Sequence, residues 1–303
     1  MTNSINHVKN EKSATSIAFT VVCITILVLY TLTLAVSFGW GIMNSFKDPL
    51  DYSIDPLGFP PTIIFTNYAE SFQNIKVTVK AGLGSRDVYI SEMLLNTLLY
   101  AGGCAFFQTL SCCVMAYAVA RYDNFVSKTI YFIVILVMIL PIVGQLPSEV
   151  QMLMNLRLYD TMAGAWMLSF NFLGMHFLIF YESFRALPKE YSEAAMIDGA
   201  GNWRIFLRVM LPLVKYAIFT IFLLKFITYW NDYQTPLVYI PDEPVLAYGL
   251  WKFFTNPGNG PIRFSSMPHK IAGCMIVFLP IFAVFLALHK RLIGNVSMGG
   301  IKG

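Results

Sequence analysis

The sequence predicts an all-α membrane protein with six transmembrane helices, and three observations carry that expectation. The chain is 56% hydrophobic, has a mean hydropathy of +0.61 and is only 13% charged, about half the roughly 25% usual in soluble domains. Six long apolar segments run at about 16–40, 93–120, 129–147, 162–184, 214–232 and 270–289. Each is long enough, at ~1.5 Å per residue, to cross a ~30 Å hydrocarbon core. Backbone groups in lipid must bond within their own segment, so the segments are expected as helices.

Taken in order, residues 1–15 form a polar tail and residues 16–40 the first span. This span is too long for a signal-peptide core and is read as retained. Residues 41–92 make a long connection in which the prolines of DPLGFPP stop any helix. Its part KVTVKAGLGSRDVYI alternates enough to suggest a short hairpin. Residues 93–289 carry the remaining five spans, with a charged stretch at 186–213 between spans four and five. Residues 233–269 form a second long connection containing the turn-rich NPGNGP, and 290–303 a short tail.

Lys and Arg set the orientation. With the N-terminus inside, twelve Lys and Arg residues fall on the inner side and eight on the outer, while acidic residues divide six to eleven. Both termini and the 186–213 stretch are therefore expected in the cytoplasm, and residues 41–92 outside. The net charge of +4 is small and dispersed, which gives no support to nucleic-acid binding. Cys23, Cys104, Cys112, Cys113 and Cys274 all sit in apolar runs, without CxxC spacing or nearby His. They read as small apolar residues at helix contacts, not as a disulfide framework or a metal site.

The 186–213 stretch, ALPKEYSEAAMIDGAGNWRIFLRVMLPL, interrupts the apolar pattern with Lys189, Glu190, Glu193, Asp198, Arg204 and Arg208. Pro188 suits the first position of a helix, where its missing N–H is not needed. A helix over Lys189–Asp198 then ends at Gly199, a good left-handed terminator. Asn202 can cap a second helix, in which Trp203, Phe206, Leu207 and Met210 share one face opposite Arg204 and Arg208. Pro212 bends the chain into the fifth span. In the first helix Glu193 stands beside the small pair Ala194-Ala195. Two readings stay open: a knob that docks into a groove of another protein, or a plain amphipathic interface helix.

The motif EAAMIDGAGNWRIFLRVMLPL resembles the EAA loop of ABC importer permeases, with Glu193, Ala194, Ala195 and Gly199 matching E-A-A-x-x-x-G. Asp198-Gly199-Ala200 matches its DGA variant, and Ile205, Leu211 and Pro212 match its second half. Further pieces are similar to the maltose-type carbohydrate branch: NTLLYA at 96–101, AYAVARY at 116–122, Pro141 with Pro147, LRLYDT at 156–161, WNDYQTPL at 230–237 and the SMGGIKG end. The insert near 76–90 has no counterpart in that branch.

The resemblance implies a transport subunit of the bacterial cytoplasmic membrane, not an enzyme. It implies pairing with a second permease, most simply a different one, and docking of each EAA helix into a cytoplasmic ATPase dimer. An extracytoplasmic binding protein would deliver a sugar or oligosaccharide. Glu193 would meet a basic residue of the ATPase, Ala194 and Ala195 would allow close approach, Asp198 would belong to the loop, and Gly199 would form its elbow. The chain lacks GxxxxGK[ST], so ATP and magnesium are expected on the partner and no cofactor or metal on this chain.

Polar groups within a bilayer are candidates for function. Lys225, Tyr229 and Asp232 fall at i, i+4 and i+7 on one face of the fifth span, with Trp230 and Asn231 beside them. This face is a candidate solute path, with Tyr229 or Trp230 stacking on a sugar ring and Lys225 favouring an acidic one. Alternatively Trp230 and Tyr233 form an aromatic belt, and Asp232 caps the span or pairs with a partner subunit. Asn96, Gln108, Asn171 and His176 read as hydrogen bonds between helices. A permease for another solute, or a stand-alone secondary transporter, is the alternative to sugar import. The absence of a visible repeat and the presence of the charged insert argue against the latter.

Overall fold

The computed structural model describes residues 14–81, 84–140, 144–255 and 266–293. Its centre is α4 (Ile90–Arg121), 32 residues long, which runs from a β-hairpin at one end of the molecule to the charged elbow at the other. Around it pack α5 (Phe125–Ile139), α7 (Met162–Ser169), α8 (Met175–Arg185), α12 (Lys215–Trp230) and α14 (Leu246–Thr255). In lipid, helices gain from close packing and not from hiding apolar surface from water, so small side chains sit at their contacts. On α4 these are Ala101, Cys104, Ala105, Cys112, Cys113 and Ala116, all buried. Gly103 completes the row: a Cβ there would fall 2.1 Å from Nε1 of Trp166, which donates to Leu99 O at 3.1 Å. The cysteines are free, as expected of packing residues.

Among the described residues, three helices are continuous, long and apolar enough to span a membrane by themselves: α1 (Ala14–Ser45), α4 and α15 (Met267–Ile293). The fifth predicted span enters through a bend of 75° between residues 202–213 and α12. Two predicted spans differ from expectation. Segment 129–147 is helical as α5 only to Ile139, and Leu146–Asn155 starts a separate helix, α6, with Pro147 in its first turn. Segment 162–184 is two helices, α7 and α8, parted at Phe170–Gly174. The break is built in. Gly174 lies at φ +137°, which only glycine adopts without strain. The side chain of Asn171 accepts from the N–H of Leu173, and Cys112 Sγ lies 3.7 Å from the Asn171 carbonyl. Averaged hydropathy does not register such a break.

The connection before α4 is folded. It holds α2 (Pro49–Ile54), α3 (Thr66–Asn74) and the expected hairpin, β1 (Lys76–Ala81) antiparallel to β2 (Gly84–Tyr89), with Val77 opposite Val88. Val77, Val79 and Val88 turn inward and join Ile75, Met93, Phe226, Trp230 and Phe253 in one core. Lys76 and Asp87 pair across the outer face at 2.5 Å, and Thr78 adds a bond of 2.7 Å to the same carboxylate. Lys47 is buried, its ammonium bonded to the carbonyls of Asp55 and Gly58, so the DPLGFPP turn is wrapped around a cation. Glu70 on α3 meets the buried His269 of α15 at 2.7 Å, tying this cap to the last helix.

Residues 233–255, expected as loop, contain α13 (Gln234–Tyr239) and α14. The NPGNGP turn, Pro141, the polar N-terminal residues 1–13 and the SMGGIKG end lie outside the described residues. A second core gathers at the elbow end, from Cys112, Cys113, Ala116 and Val119 of α4, Phe177, Phe180 and Phe184 of α8, and Ile205, Phe206 and Met210 of the elbow.

Candidate functional site: the elbow and a polar seam through the bundle

The elbow begins with α9 (Glu190–Ile197), one residue shorter at each end than the expected 189–198. Pro188 lies before it, and Lys189 occupies the cap. The helix ends as its glycine demands. Gly199 is left-handed at φ +76°, its N–H reaches Met196 O at 3.0 Å, and the N–H of Ala200 reaches back five residues to Ala195 O at 2.9 Å. This pair of bonds satisfies carbonyls the helix end leaves free. None of the α9 side chains is buried: Glu193, Ala194 and Asp198 are exposed, Ala195 is half-buried, and Ile197 is 87% exposed. Behind the helix lies a cleft of about 220 Å³ lined by Tyr117, Arg121, Lys189, Glu193 and Met196, among others. The structure thus brings Glu193, Ala194, Ala195, Asp198 and Gly199 together on one projecting turn.

The second half of the elbow departs from expectation. Asn202 is the first helical residue of α10 (Asn202–Ile205), and Gly201 is the cap. A π turn follows over Phe206–Met210, then α11 (Leu211–Leu213). Pro212 has no N–H to offer the i−4 carbonyl, and the preceding Leu211 N–H bonds five residues back to Phe206 O. The extra residue rotates the apolar face. Ile205, Phe206 and Met210 are buried, but Trp203 is 71% exposed and Leu207 54% exposed, so the predicted stripe of Trp203, Phe206, Leu207 and Met210 is not one face.

Inside the bundle, the fifth-span candidates divide. The Tyr229 hydroxyl donates to Gln108 Oε1 of α4 at 2.9 Å. Asp232 accepts from the Tyr100 hydroxyl at 3.0 Å and from the backbone N–H groups of Gln234 and Thr235 at 3.0 and 3.1 Å, so it caps α13 while reaching α4. Lys225 is half-buried on the same side of α12 and, among the described residues, has neither a hydrogen-bond nor an ion-pair partner. Its neighbours include His176 of α8 and Cys112 of α4. His176 makes no hydrogen bond to another helix among the described residues, against expectation, whereas Gln108 does.

One candidate falls away as a solute contact. Trp230 is 1% exposed and packs into the hairpin core against Phe226, so its ring has no open face for a sugar. Asn231 turns back to bond Ile227 O at 2.8 Å at the exposed helix end. The aromatic-belt reading fails for Trp230 too, while Tyr233 stacks on Trp251 with centroids 5.6 Å apart. Asn171 serves the α7–α8 break and not an interhelix bond. What sequence reasoning missed is that break. It places unwound backbone at Asn171 and Phe172 beside Cys112, with Ser169 and His176 on its flanks and Lys225 and Tyr229 across from it. Irregular backbone at bilayer depth is tolerated only within protein or along a wet cavity.

Residues 113–297 match the family described as the binding-protein-dependent transport system inner membrane component. The chain belongs to this family. It is 27% identical to the diacetylchitobiose uptake system permease protein NgcG of Streptomyces coelicolor, over 93% of this chain and 88% of that protein. It is also 27% identical to the melibiose/raffinose/stachyose import permease protein MelC of Bacillus subtilis, over 97% and 98% of the two chains. The sn-glycerol-3-phosphate transport system permease protein UgpE of Yersinia pestis is 31% identical over 72% of this chain and 77% of its own length. The fold matches a chain of a bacterial ABC transporter involved in the import of the acidic polysaccharide alginate, with a TM-score of 0.69 over 92% of this chain and 98% of that one, at 21% identity. The protein is therefore an ABC importer permease of the bacterial inner membrane, a transport component and not an enzyme, working with a solute-binding protein and an ATPase. That sets aside a stand-alone secondary transporter.

Proposed function

We propose that the chain crosses the membrane six times with both termini cytoplasmic, and forms one half of the path for a sugar or oligosaccharide. In this reading the elbow faces the cytoplasm and α9 seats in a cleft of the ATPase. The observation that carries it is the exposure of α9 on a glycine-ended turn, with Glu193 and Ala194 exposed and only Ala195 resting against the elbow core. A carboxylate flanked by methyl groups fits a shallow groove with a basic residue at its edge. The ATPase supplies ATP and magnesium chemistry, and this chain supplies the lever.

A second permease subunit, different from this one, is proposed to lie against α1, whose apolar length has none of its spanning window buried within the chain. The solute path is assigned to the seam between α4, the α7–α8 break and α12, with Lys225 and Tyr229 facing it. The named oligosaccharides of two relatives support the sugar. Lys225 favours one refinement: a cation in the bundle with no carboxylate partner among the described residues suits a solute bearing an anionic group, such as an acidic sugar.

The test is ATP-driven uptake by the reconstituted transporter with its binding protein, screened against neutral and acidic oligosaccharides. Glu193→Lys is expected to lose the ATPase on co-purification while the permease remains folded. Retention of the ATPase and full uptake by that variant would overturn the docking role. Lys225→Met is expected to lower uptake, and unchanged uptake of the native solute would remove Lys225 from the path.

A further inference from the structure

A cavity of about 490 Å³ opens where the C-terminal ends of α4 and α8 meet the N-terminal ends of α5 and α9. It is lined by four basic side chains, Arg121, Lys128, Arg185 and Lys189, against the single carboxylate of Asp123. Arg121 is held in place, its Nη2 donating to Leu187 O at 3.3 Å, and Arg185 lies over the Tyr181 ring at 5.9 Å. Only Lys128 has an ion pair, a fully open one with Asp123 at 3.0 Å. Such exposed pairs contribute little. Among the described residues, no carboxylate is within salt-bridge distance of Arg121, Arg185 or Lys189. Glu193 lines the adjoining cleft with Arg121 and Lys189.

The helix ends explain only half of this cluster. Arg121 and Arg185 close α4 and α8, where the helix dipole favours cations. Lys128 lies in the first turns of α5 and Lys189 caps α9, where the dipole disfavours them. An anion seated between all four is attracted by the side chains, while the two N-terminal ends offset the two C-terminal ends. The surroundings say which anion. Tyr122, Tyr131 and Tyr181 line the cavity with the basic residues, an aromatic setting typical of the headgroup level. Directly beside it, α5 presents Phe125, Val126, Phe132 and Ile133 to the outside, a strip suited to acyl chains and not to a soluble ligand.

We propose that this cavity binds the phosphodiester headgroup of an anionic phospholipid, with the acyl chains lying along α5. Arg121 also holds Leu187, the residue that leads into the elbow, so a seated headgroup braces the base of α9. The proposal requires only that the chain sits in a bilayer, and is independent of the docking role given to Glu193 and of the direction the elbow faces.

The test uses the assembled transporter, relipidated in nanodiscs of phosphatidylcholine with and without phosphatidylglycerol, and native mass spectrometry of the lipids that stay bound. The variant is Lys128→Gln with Arg185→Gln, both exposed and outside the packed core, compared with Arg204→Gln and Arg208→Gln, an equal charge change on the elbow arm. Wild type and the arm variant should retain phosphatidylglycerol over phosphatidylcholine. The cavity variant should lose affinity on the order of 30-fold, about fivefold per basic residue removed. Equal retention by the cavity variant overturns the site. So does a thermal shift produced by inorganic phosphate in detergent but not by phosphatidylglycerol, which would mark a soluble anion as the ligand. Cross-links from Lys128 to the ATPase, with no retained lipid, would assign the cavity to that protein instead.

Discussion

At the scale of single residues, Gly199 is the clearest case in which one position fixes a geometry. A Cβ there meets nothing within 4 Å, so the first side-chain carbon is not crowded. The cost is conformational, about 1–2 kcal/mol for an ordinary residue in left-handed backbone and more for a β-branched one. Gly199→Val is expected to disorder the end of α9 and uncouple ATP hydrolysis from uptake, whereas Gly199→Asn, which tolerates this conformation, should keep most of the coupling. Measuring ATPase rate and uptake side by side distinguishes the two. Asp232 makes a different kind of prediction. Because it caps α13 and accepts from Tyr100, Asp232→Ala should lower thermal stability by about 1–2 kcal/mol, read as a reduced melting temperature in detergent. A stable variant with lost uptake would instead mark Asp232 as a solute contact. The fifth-span face was legible from spacing alone, since Tyr229 and Asp232 both turn to α4 as i+4 and i+7 require. Trp230 was not: spacing locates a residue on a helix but says nothing of which neighbour covers it, and the hairpin that buries it is 140 or so residues away in sequence.

At the scale of elements, the helices were readable and their interruptions were not. Residues 162–184 are apolar enough to pass as one span, yet a glycine at φ +137° and a cysteine from a different helix hold them apart. The π turn at Phe206–Met210 likewise left no mark beyond Pro212. The hairpin was legible from its alternation, and its anchoring explains why. Val77, Val79 and Val88 alternate because one face is core, while Lys76, Thr78 and Asp87 form the other. Lys76 and Thr78 hydrogen-bond the Asp87 carboxyl and hold it below the usual carboxylate range. A carboxyl so depressed adds stability above its unfolded value, and that contribution is lost as pH falls through the folded one. The protection factors of the β1 and β2 amides, taken against the intrinsic exchange rate at each pH, should therefore fall as the medium is acidified below the ordinary carboxylate range. Asp87→Asn should show the lower protection already at neutral pH, with no further acid step. The corner before α7 offers a steric test. A Cβ at Gly164 would stand 2.2 Å from the Leu158 carbonyl oxygen, which is backbone and cannot swing aside. Gly164→Ala should cost about 1–3 kcal/mol, measurable as reduced yield of folded complex and a lower melting temperature.

At the scale of the whole molecule, α4 joins two cores: the hairpin core at one end and the elbow core at the other. Topology is the matching prediction. With the native thiols replaced, a cysteine at Ser85 should react with a membrane-impermeant maleimide added to intact cells, and one at Glu193 only after the membrane is opened. The reverse pattern would invert the orientation read from the Lys and Arg distribution. One feature of α5 bears on where such a protein can work. Its 15 helical residues extend about 22 Å, roughly 8 Å less than an average hydrocarbon core. In the proposed six-span topology, lipid beside α5 thins to meet it, at a cost of fractions of a kcal/mol for each ångström. In that topology the transporter carries its own thickness preference: short-chain, fluid membranes relieve the strain along that edge, and stiff, long-chain ones load it. Cells that lengthen their acyl chains on warming would then change the lateral distribution of this importer without altering a residue of it.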